Sequence, residues 1–270
     1  MSKFLNKSRV FQSFTPILCK IEALNPINWK HGIPRDKTDF SSIARFISKI
    51  ENNNLKFTKI KNKHKINITS ITGAPGVGKS SVLNELINIS LNKGKSVAVL
   101  MLDPRSSISG GSFLGDRLRL NLDYPAKGVF LRSAAFSQSN LEDSIKIKSI
   151  LNLFRYLEFE DIYLEAIGAD QNNLNFKKFA DVVVSIPNNL NEDWVQVLKS
   201  DNLDLADIFF VNKNDIQSTE AAIQAVMLKN SLSPDQMTSK KVLLGSARNK
   251  QGILELYDEI HNITGEKNVN

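Results

Sequence analysis

A glycine-rich segment between an apolar run and a helical pattern constrains the fold of this chain more than any other feature. Its residues are Gly73, Ala74, Pro75, Gly76, Val77, Gly78, Lys79, Ser80 and Ser81. Glycines allow the backbone to curl until several N–H groups converge on an anion, and the following helix directs the positive end of its dipole at the same point. In this pattern Lys79 reaches the β- and γ-phosphates and the Ser80 hydroxyl ligates Mg²⁺. The segment therefore predicts a phosphate-binding loop (P-loop).

From residue 65 onward, short runs rich in β-branched residues alternate with helical patterns. This alternation predicts an α/β protein with the P-loop NTPase fold, in which helices cover both faces of a mostly parallel central sheet. The predicted strands are 66–72, 96–102, 128–132, 161–166, 181–186, 207–212 and 241–245. The predicted helices are 79–91, 141–157, 192–199, 219–229 and 251–260. We expect a P-loop domain over residues 65–270, preceded in residues 1–64 by a tail and a short amphipathic helix at 39–52 that packs on the core.

A second polar motif, Asn212-Lys213-Asn214-Asp215, follows the predicted strand that begins at residue 207. Asp215 can accept two hydrogen bonds from N1–H and the exocyclic amine of guanine, whereas adenine has an acceptor at N1 and no amine there. Taken alone, these four residues are typical of a solvated turn. Their position after a P-loop and a later strand, however, favours the binding of a guanine nucleotide, GTP or GDP. The Lys213 stem would pack on the base, and a backbone N–H near Ser246 would meet guanine O6. The predicted base-binding residues are Asn212, Lys213, Asp215, Ser246, Ala247 and Arg248.

Three acidic residues lie where the chemistry of hydrolysis is expected. Asp103 and Glu165 each follow the end of an apolar run, and Asp116 follows a flexible Ser-Gly-Gly-Ser stretch. Acids at strand tips that face a triphosphate can hold Mg²⁺ directly or through water, or orient the attacking water. Each could instead be a helix cap or a turn residue without a catalytic role.

Composition sets limits on the partners and the compartment. The formal net charge is +7, but the densest basic run, residues 59–65, lacks interleaved aromatics and is better explained as a solvated linker than as a nucleic-acid site. The longest apolar run has six residues, so no membrane span is expected. Cys19 is the only cysteine, and the three histidines are scattered. The basic bias of the first twenty residues is shared by mitochondrial transit peptides, but no clear cleavage signal accompanies it. We therefore expect a cytoplasmic protein, with the mitochondrial matrix as the alternative compartment.

Together these segments resemble the family of the MeaB, ArgK and methylmalonic aciduria type A proteins, which are GTPases of the SIMIBI class. The likeness runs from about residue 42 to 261. Its most specific part is 103–117, Asp-Pro-Arg-Ser-Ser-Ile-Ser-Gly-Gly-Ser-Phe-Leu-Gly-Asp-Arg. The stretch 42–51 is similar to the helix before the family's P-loop, and Glu165-Ala-Ile-Gly168 parallels its Glu-Thr-Val-Gly, with Gln171 at the position of a family glutamine.

The resemblance implies a function as well as a fold. Such proteins gate the loading of adenosylcobalamin into acyl-CoA mutases, chiefly methylmalonyl-CoA mutase, with GTP and Mg²⁺. The resemblance implies that five residues bind the phosphates and Mg²⁺ and support hydrolysis: Lys79, Ser80, Asp103, Asp116 and Glu165. Asp193-Trp-Val-Gln-Val-Leu-Lys199 is similar to a switch that responds to the partner, which makes Lys199 a catalytic candidate. Turnover without a partner should be slow, since no arginine finger stands out in cis.

Departures from the family pattern leave alternatives open. The family's Pro-Gly-Ala-Gly is replaced at 187–192 by Pro-Asn-Asn-Leu-Asn-Glu, and its Arg-Pro-Ser-Pro by Arg-Ser-Ala-Ala at 132–135. The sequence ends just after the last predicted core helix, without the helical arm through which relatives pair, so a homodimer is only a possibility. The rival interpretations are a scaffold that binds nucleotide without hydrolysis, a metal-delivery GTPase, and a small-molecule kinase, which would prefer ATP, contrary to Asp215.

Overall fold

The computed structural model describes residues 33–53, 56–58, 68–103, 128–136, 141–166, 176–187 and 202–266. The strands are β1 (Ile68–Thr72), β2 (Val97–Asp103), β3 (Val129–Ala135), β4 (Asp161–Ala166), β5 (Val182–Ser185), β6 (Ile208–Val211) and β7 (Lys241–Leu244). The helices are α1 (Phe40–Asn53), α2 (Lys79–Asn92), α3 (Leu141–Tyr156), α4 (Asn202–Leu205), α5 (Ser218–Ser231), α6 (Pro234–Ser239) and α7 (Ile253–Glu266), with a 3-10 turn at Phe176–Lys178. No helix within these residues combines the length and the apolar character that a membrane crossing needs.

The seven strands form one parallel sheet in the order β3-β2-β4-β1-β5-β6-β7. β1 is central, with Ser70 opposite Leu164 of β4 on one side and opposite Val183 of β5 on the other. The strands are rich in Val and Ile because a parallel sheet is buried on both faces. The strand order reverses direction on either side of β1, and ligands of open α/β sheets bind at such a switch point, beyond the carboxyl ends of the strands. The predicted α/β fold class is confirmed.

Helices cover both faces of the sheet. On one face, α1 and α3 pack on β2, β3 and β4 in a core that includes Ile47, Phe154 and Leu100. On the other face, α2 and α7 pack in a second core that includes Leu86 and Leu256. A smaller cluster joins α5 to β6 and β7. The helix after the P-loop is thereby held against the centre of the sheet.

The amphipathic helix expected before the P-loop domain is α1. Its four apolar residues at helical spacing, Ile43, Phe46, Ile47 and Ile50, are buried in the core of the sheet. Glu51 at its end forms an ion pair with Arg132 of β3, which adds a polar link to the apolar contact. The domain boundary expected near residue 64 lies outside the described residues and stays a prediction.

Two short helices were not predicted, and one predicted helix is not described. α4 directly precedes β6 in the chain, and α6 directly precedes β7. α6 carries a full capping box, in which Ser233 accepts from the Gln236 N–H and the Gln236 side chain accepts from the Ser233 N–H, followed by Pro234 at its start. The pattern Ser-Pro-Asp-Gln is a recognisable start signal, so this helix could have been found from the sequence. The predicted helix 192–199 lies outside the described residues.

A buried carboxylate joins the amino end of β4 to α2 and α7. Asp161 is almost wholly buried. Its four partners are the Ser90 Oγ at 2.7 Å, the Tyr257 hydroxyl at 3.0 Å, the Lys95 Nζ at 3.2 Å and the His261 Nε2 at 3.1 Å. Burial alone would raise the pKa of Asp161, but hydrogen bonds from His261 and Ser90 and the charge of Lys95 outweigh burial and lower the pKa to about 2.

We expect the ionised Asp161 to stabilise the fold at neutral pH. A carboxyl whose pKa is lower in the folded than in the unfolded chain adds stability above the unfolded pKa, and Asp161→Asn should cost about 2 kcal/mol of unfolding free energy at pH 7. The native protein should lose the same contribution as pH falls from about 4 to about 2. Urea unfolding at pH 7 measures the first effect. Asp258→Asn, which breaks the half-exposed pair with Lys93, is the control and should cost less than about 1 kcal/mol; equal losses in the two variants would contradict the assignment.

Candidate nucleotide-binding site

The P-loop connects the central strand β1 to α2 through residues that only glycine suits. Gly73, Gly76 and Gly78 have φ of 146°, 80° and 97°, in the region that side chains disfavour. A Cβ on Gly73 would lie 2.2 Å from the Ile186 carbonyl oxygen, and one on Gly78 would lie 2.4 Å from the Asn212 Nδ2. The loop therefore curls tightly against β5 and the β6 end of the sheet, as its glycine pattern predicts.

Lys79 is the first residue of α2, and its ammonium group lies along the inside of the loop. The Nζ donates to the carbonyl oxygens of Gly73 at 2.8 Å and Ala74 at 2.9 Å. The side chain is buried, as is that of Val77. Pro75, Gly76 and Ser81 are exposed, while Ala74 and Ser80 are half-buried. The predicted P-loop residues are thus brought together around one positive charge at the amino end of a helix.

Ser80 and Glu165 meet at the carboxyl edge of the sheet. The Ser80 Oγ donates to the Glu165 Oε1 at 2.9 Å, and the Glu165 side chain is fully buried. Glu165 lies near the end of β4, opposite Ile71 of β1, which places it directly beside the P-loop. Hydroxyl and carboxylate oxygens are the donors that Mg²⁺ prefers, so the two side chains fit a Mg²⁺ site.

The other predicted hydrolysis residues are only partly described. β2 lies beside β4, with Met101 opposite Glu165, so the backbone of Asp103 reaches the same edge of the sheet two residues later. Asp116 and Lys199 lie outside the described residues. The structure thus brings Lys79, Ser80 and Glu165 together and places the Asp103 backbone near them.

Asn212 links the P-loop to the turn after β7. Its Nδ2 donates to the Val77 carbonyl oxygen at 3.0 Å, and its Oδ1 accepts from the Ala247 N–H at 3.0 Å. The side chain is buried. Asn212 is predicted to bind the nucleotide; in the structure it holds two of the predicted binding segments at a fixed separation.

Asp215 is held in place by a buried serine. Its Oδ1 accepts a hydrogen bond of 2.5 Å from the Ser246 Oγ, and that Oγ in turn accepts from the Asn249 N–H at 3.2 Å. Because an ionised carboxylate can only accept, the hydroxyl proton points at Asp215, and a lone pair of the hydroxyl accepts from the Asn249 N–H. Asp215 is half-buried, whereas Ser246 is fully buried. The contact from residue 249 uses only its backbone N–H, which any residue except proline would supply, so the sequence does not mark this position.

The residues between Asn212 and Asp215 form a tight turn against β7. Lys213 has a φ of 66°, a left-handed conformation that is uncommon for a residue with a side chain. The Asn214 N–H donates to the Gly245 carbonyl oxygen at 3.1 Å. The Lys213 side chain is half-buried. This backbone turn leads from the end of β6 to Asp215, which contacts the turn that carries Ser246.

The turn after β7 engages the backbone N–H groups of Ser246 and Ala247, one of which was expected to meet guanine O6. The Ser246 N–H donates to the Gln251 carbonyl oxygen at 3.0 Å, and the Ala247 N–H donates to Asn212. A base oxygen would therefore have to share the Ala247 N–H with Asn212. Arg248 is exposed at the tip of the turn.

The sequence of this chain is similar to those of known GTPases. Residues 51–268 match the family model described as Methylmalonyl Co-A mutase-associated GTPase MeaB. A protein of Pyrococcus abyssi that is named as a GTPase is 32% identical over 239 residues, which cover 83% of this chain and 72% of the relative. GTPase ArgK of Escherichia coli is 29% identical over 70% of this chain and 59% of its own length. The chain thus spans about three fifths to three quarters of these relatives.

Solved structures share the fold. The crystal structure of a LAO/AO transport system kinase has a TM-score of 0.58 at 17% identity and covers 97% of this chain and 77% of its own. HypB from Helicobacter pylori in complex with nickel has a TM-score of 0.55 at 17% identity and covers 86% of this chain and 97% of its own. At such identities the likeness shows the fold alone, but the family model covers most of the chain. The chain belongs to the family of methylmalonyl-CoA mutase-associated GTPases that is named MeaB.

Proposed function

We propose that this protein binds GTP and GDP with Mg²⁺, hydrolyses GTP slowly, and acts as a chaperone for a cobalamin-dependent acyl-CoA mutase. The observation that supports this most is the Asn212 side chain, which joins the P-loop at Val77 to the base-side turn at Ala247. The P-loop, which would hold the phosphates, and Asp215, which would contact the base, thereby lie at one edge of the sheet. One nucleotide would bind to both.

Guanine selection would rest on Asp215. One carboxylate oxygen is held by Ser246, so the carboxylate keeps a fixed orientation towards a bound base. Guanine satisfies it with two donors, whereas adenine would leave a desolvated acceptor without a donor, and such mismatches are strongly rejected. Lys213 would cover a face of the base with its stem, and Arg248, which is exposed at the tip of the turn, would contact the nucleotide.

Phosphate binding would begin with a change of partner at Lys79. Its ammonium now donates to two carbonyl oxygens of the loop, and phosphate oxygens are stronger acceptors for the same protons. The loop N–H groups and the amino end of α2 would hold the remaining phosphate charge. Gly78 and Asn212 keep the loop in the curled shape that this requires.

Ser80 and Glu165 would hold the metal side of the nucleotide, with Asp103 and Asp116 as further acids. The Ser80 hydroxyl would turn from Glu165 towards the ion, and the buried carboxylate would remain beside it. Mg²⁺ would neutralise the charge that develops on the phosphates. Slow turnover follows if no cationic side chain reaches the γ-phosphate until a partner docks; Lys199 is the candidate that docking would bring in.

The partner is proposed from the relatives. A fused isobutyryl-CoA mutase of Geobacillus kaustophilus is 30% identical over 164 residues, which cover 60% of this chain and 15% of that protein. A domain like this one therefore exists in one polypeptide with an acyl-CoA mutase. We infer that this chain serves a mutase as a separate partner, and that GTP changes the affinity between them.

Phosphate release tests the proposal. We expect the protein with Mg²⁺ to bind GDP and GTP in calorimetry, to prefer them to ATP, and to release phosphate slowly from GTP. Addition of a purified cobalamin-dependent methylmalonyl-CoA mutase should raise the rate by at least about tenfold. Binding without release under either condition would identify a nucleotide-gated scaffold and would contradict the GTPase assignment. Basal phosphate release that the mutase does not accelerate would contradict the chaperone role only.

A further inference from the structure

Two lysine side chains meet at the amino ends of β6 and β7, at the edge of the sheet opposite the nucleotide site. The Lys240 Nζ donates to the Ala206 carbonyl oxygen at 2.6 Å and to the Asp204 carbonyl oxygen at 3.1 Å. The Lys177 Nζ donates to the same Asp204 oxygen at 2.9 Å. Because both ammonium groups contact one oxygen, they lie within about 6 Å of each other, and at such a distance each disfavours the charged form of the other.

Two acids of the same region accept hydrogen bonds from neutral donors. The Asp204 Oδ1 accepts from the Gln236 Nε2 at 2.8 Å, and the Asp207 Oδ2 accepts from the Val183 N–H at 2.9 Å. Each of these carboxylates therefore has less capacity left for an ammonium group. The two lysines are held at this place by backbone carbonyl oxygens, which carry no full charge.

The amine of Lys240 loses its proton more readily than that of an ordinary lysine. Burial is the largest cause that lowers its pKa, and the charge of Lys177 is the second; the charges of Asp207 and Asp204 act in the opposite direction without cancelling them. A neutral amine has two N–H groups and one lone pair. When its two N–H groups donate to the carbonyl oxygens of Asp204 and Ala206, the lone pair points away from both. Partial burial beside a second cation is one way in which a lysine becomes a nucleophile.

We propose that Lys240 is a modification site that takes an acyl group from acyl thioesters. The lone pair of the Nζ attacks the thioester carbonyl carbon and forms an N–C bond, while the C–S bond breaks. The thiolate leaves with the electron pair of that bond and takes the proton that the nitrogen loses, so the products are an amide and a free thiol. Lys240 is half-buried, so its amine is partly desolvated and a small reagent can still reach it.

Acetylation by acetyl-CoA tests the proposal, and the next lysine in the chain is the internal control. Lys241 is exposed, and its ammonium group pairs with Glu259. With the full chain at about pH 7.5 and limiting acetyl-CoA, we expect Lys240 to be acetylated at least about threefold faster than Lys241. Mass spectrometry of peptides that are fragmented between the two residues measures both rates. Equal rates, or a faster rate at Lys241, would overturn the proposal.

Removal of the second positive charge tests the cause of the reactivity. Lys177→Gln should slow the acetylation of Lys240 by at least about threefold, because the remaining ammonium group then holds its proton more strongly. Lys178→Gln is the matched control, since Lys178 is also exposed and lies in the same 3-10 turn; it should leave the rate unchanged. Equal rates of acetylation in the two variants would contradict activation by Lys177 and overturn the proposal.

The pH dependence of acetylation separates an activated amine from one that is merely accessible. An amine attacks only in its neutral form, so the rate at Lys240 should level off at a lower pH in the native chain than in Lys177→Gln. Thermal unfolding of the native chain and the variants checks that the fold is kept. The same pH dependence in the native chain and in Lys177→Gln would show that accessibility alone sets the rate, against the proposal.

Discussion

Lys79→Ala is expected to abolish the binding of GTP and GDP. The ammonium group is buried inside the P-loop and donates to the carbonyl oxygens of Gly73 and Ala74. Its removal deletes both the charge that would meet the phosphates and two contacts that hold the loop. Hydrogen bonds to a charged group contribute about 1.5–3 kcal/mol each, so the affinity should fall by at least about 100-fold. Calorimetry with GDP and Mg²⁺ measures the loss directly.

A matched lysine on the same helix separates this effect from damage to the fold. Lys93 lies at the opposite end of α2, where its ammonium pairs with the half-exposed Asp258. Lys93→Ala should bind nucleotide like the native chain, since the pair is far along the helix from the P-loop. Thermal unfolding of both variants reports on folding. Unchanged GDP affinity in Lys79→Ala would refute the phosphate assignment.

The sheet was predictable because its strands are short, buried and rich in β-branched residues. Runs such as that of β2, Val-Ala-Val-Leu-Met-Leu, cannot face water on either side, and they recur between helical patterns at the spacing that parallel connections need. All seven predicted strands are present, with bounds that differ by a few residues. The order of the strands in the sheet could not be predicted from the sequence, because it depends on how the helices pack on the two faces.

The site was predictable where the motif is local. The positive φ angles at residues 73, 76 and 78 require glycine, and the glycine spacing in the sequence therefore identifies the loop. The contact of Ser80 with Glu165 joins residues 85 apart in the chain, but each was expected at the same edge of the sheet. Asp116 and Lys199 lie outside the described residues and remain predictions.

The role of Asn212 was not predictable, because it depends on where three loops meet. Its amide joins Val77 and Ala247, which are 135 residues and 35 residues away along the chain. An asparagine after a strand is equally suited to a turn or to a ligand, so the letters do not distinguish a contact to the base from a link between loops. Only the folded chain shows that both ends of the amide are engaged.

Asp215→Asn should weaken the affinity for GTP by at least about 100-fold and shift the preferred base from guanine towards xanthine. The Ser246 hydroxyl proton points at this position and would hold the amide oxygen of the asparagine, which leaves the amide NH₂ facing the base. Guanine presents two donors there, N1–H and the exocyclic amine, and both would face the NH₂ donor of the amide. Xanthine instead presents N1–H beside a carbonyl oxygen, and this oxygen can accept from the amide NH₂.

Competition between GTP and XTP for the variant measures this shift, and Asp235→Asn, at an exposed acid on α6, is the control that should change nothing. Ser246→Ala in the Asp215→Asn background provides a second test. Without the hydroxyl, the amide can turn over and present its oxygen to guanine, so the preference for xanthine should fall while overall binding remains weak. A variant that keeps native GTP affinity would show that residue 215 does not contact the base. Retained xanthine preference without Ser246 would show that the hydroxyl does not set the direction of the amide.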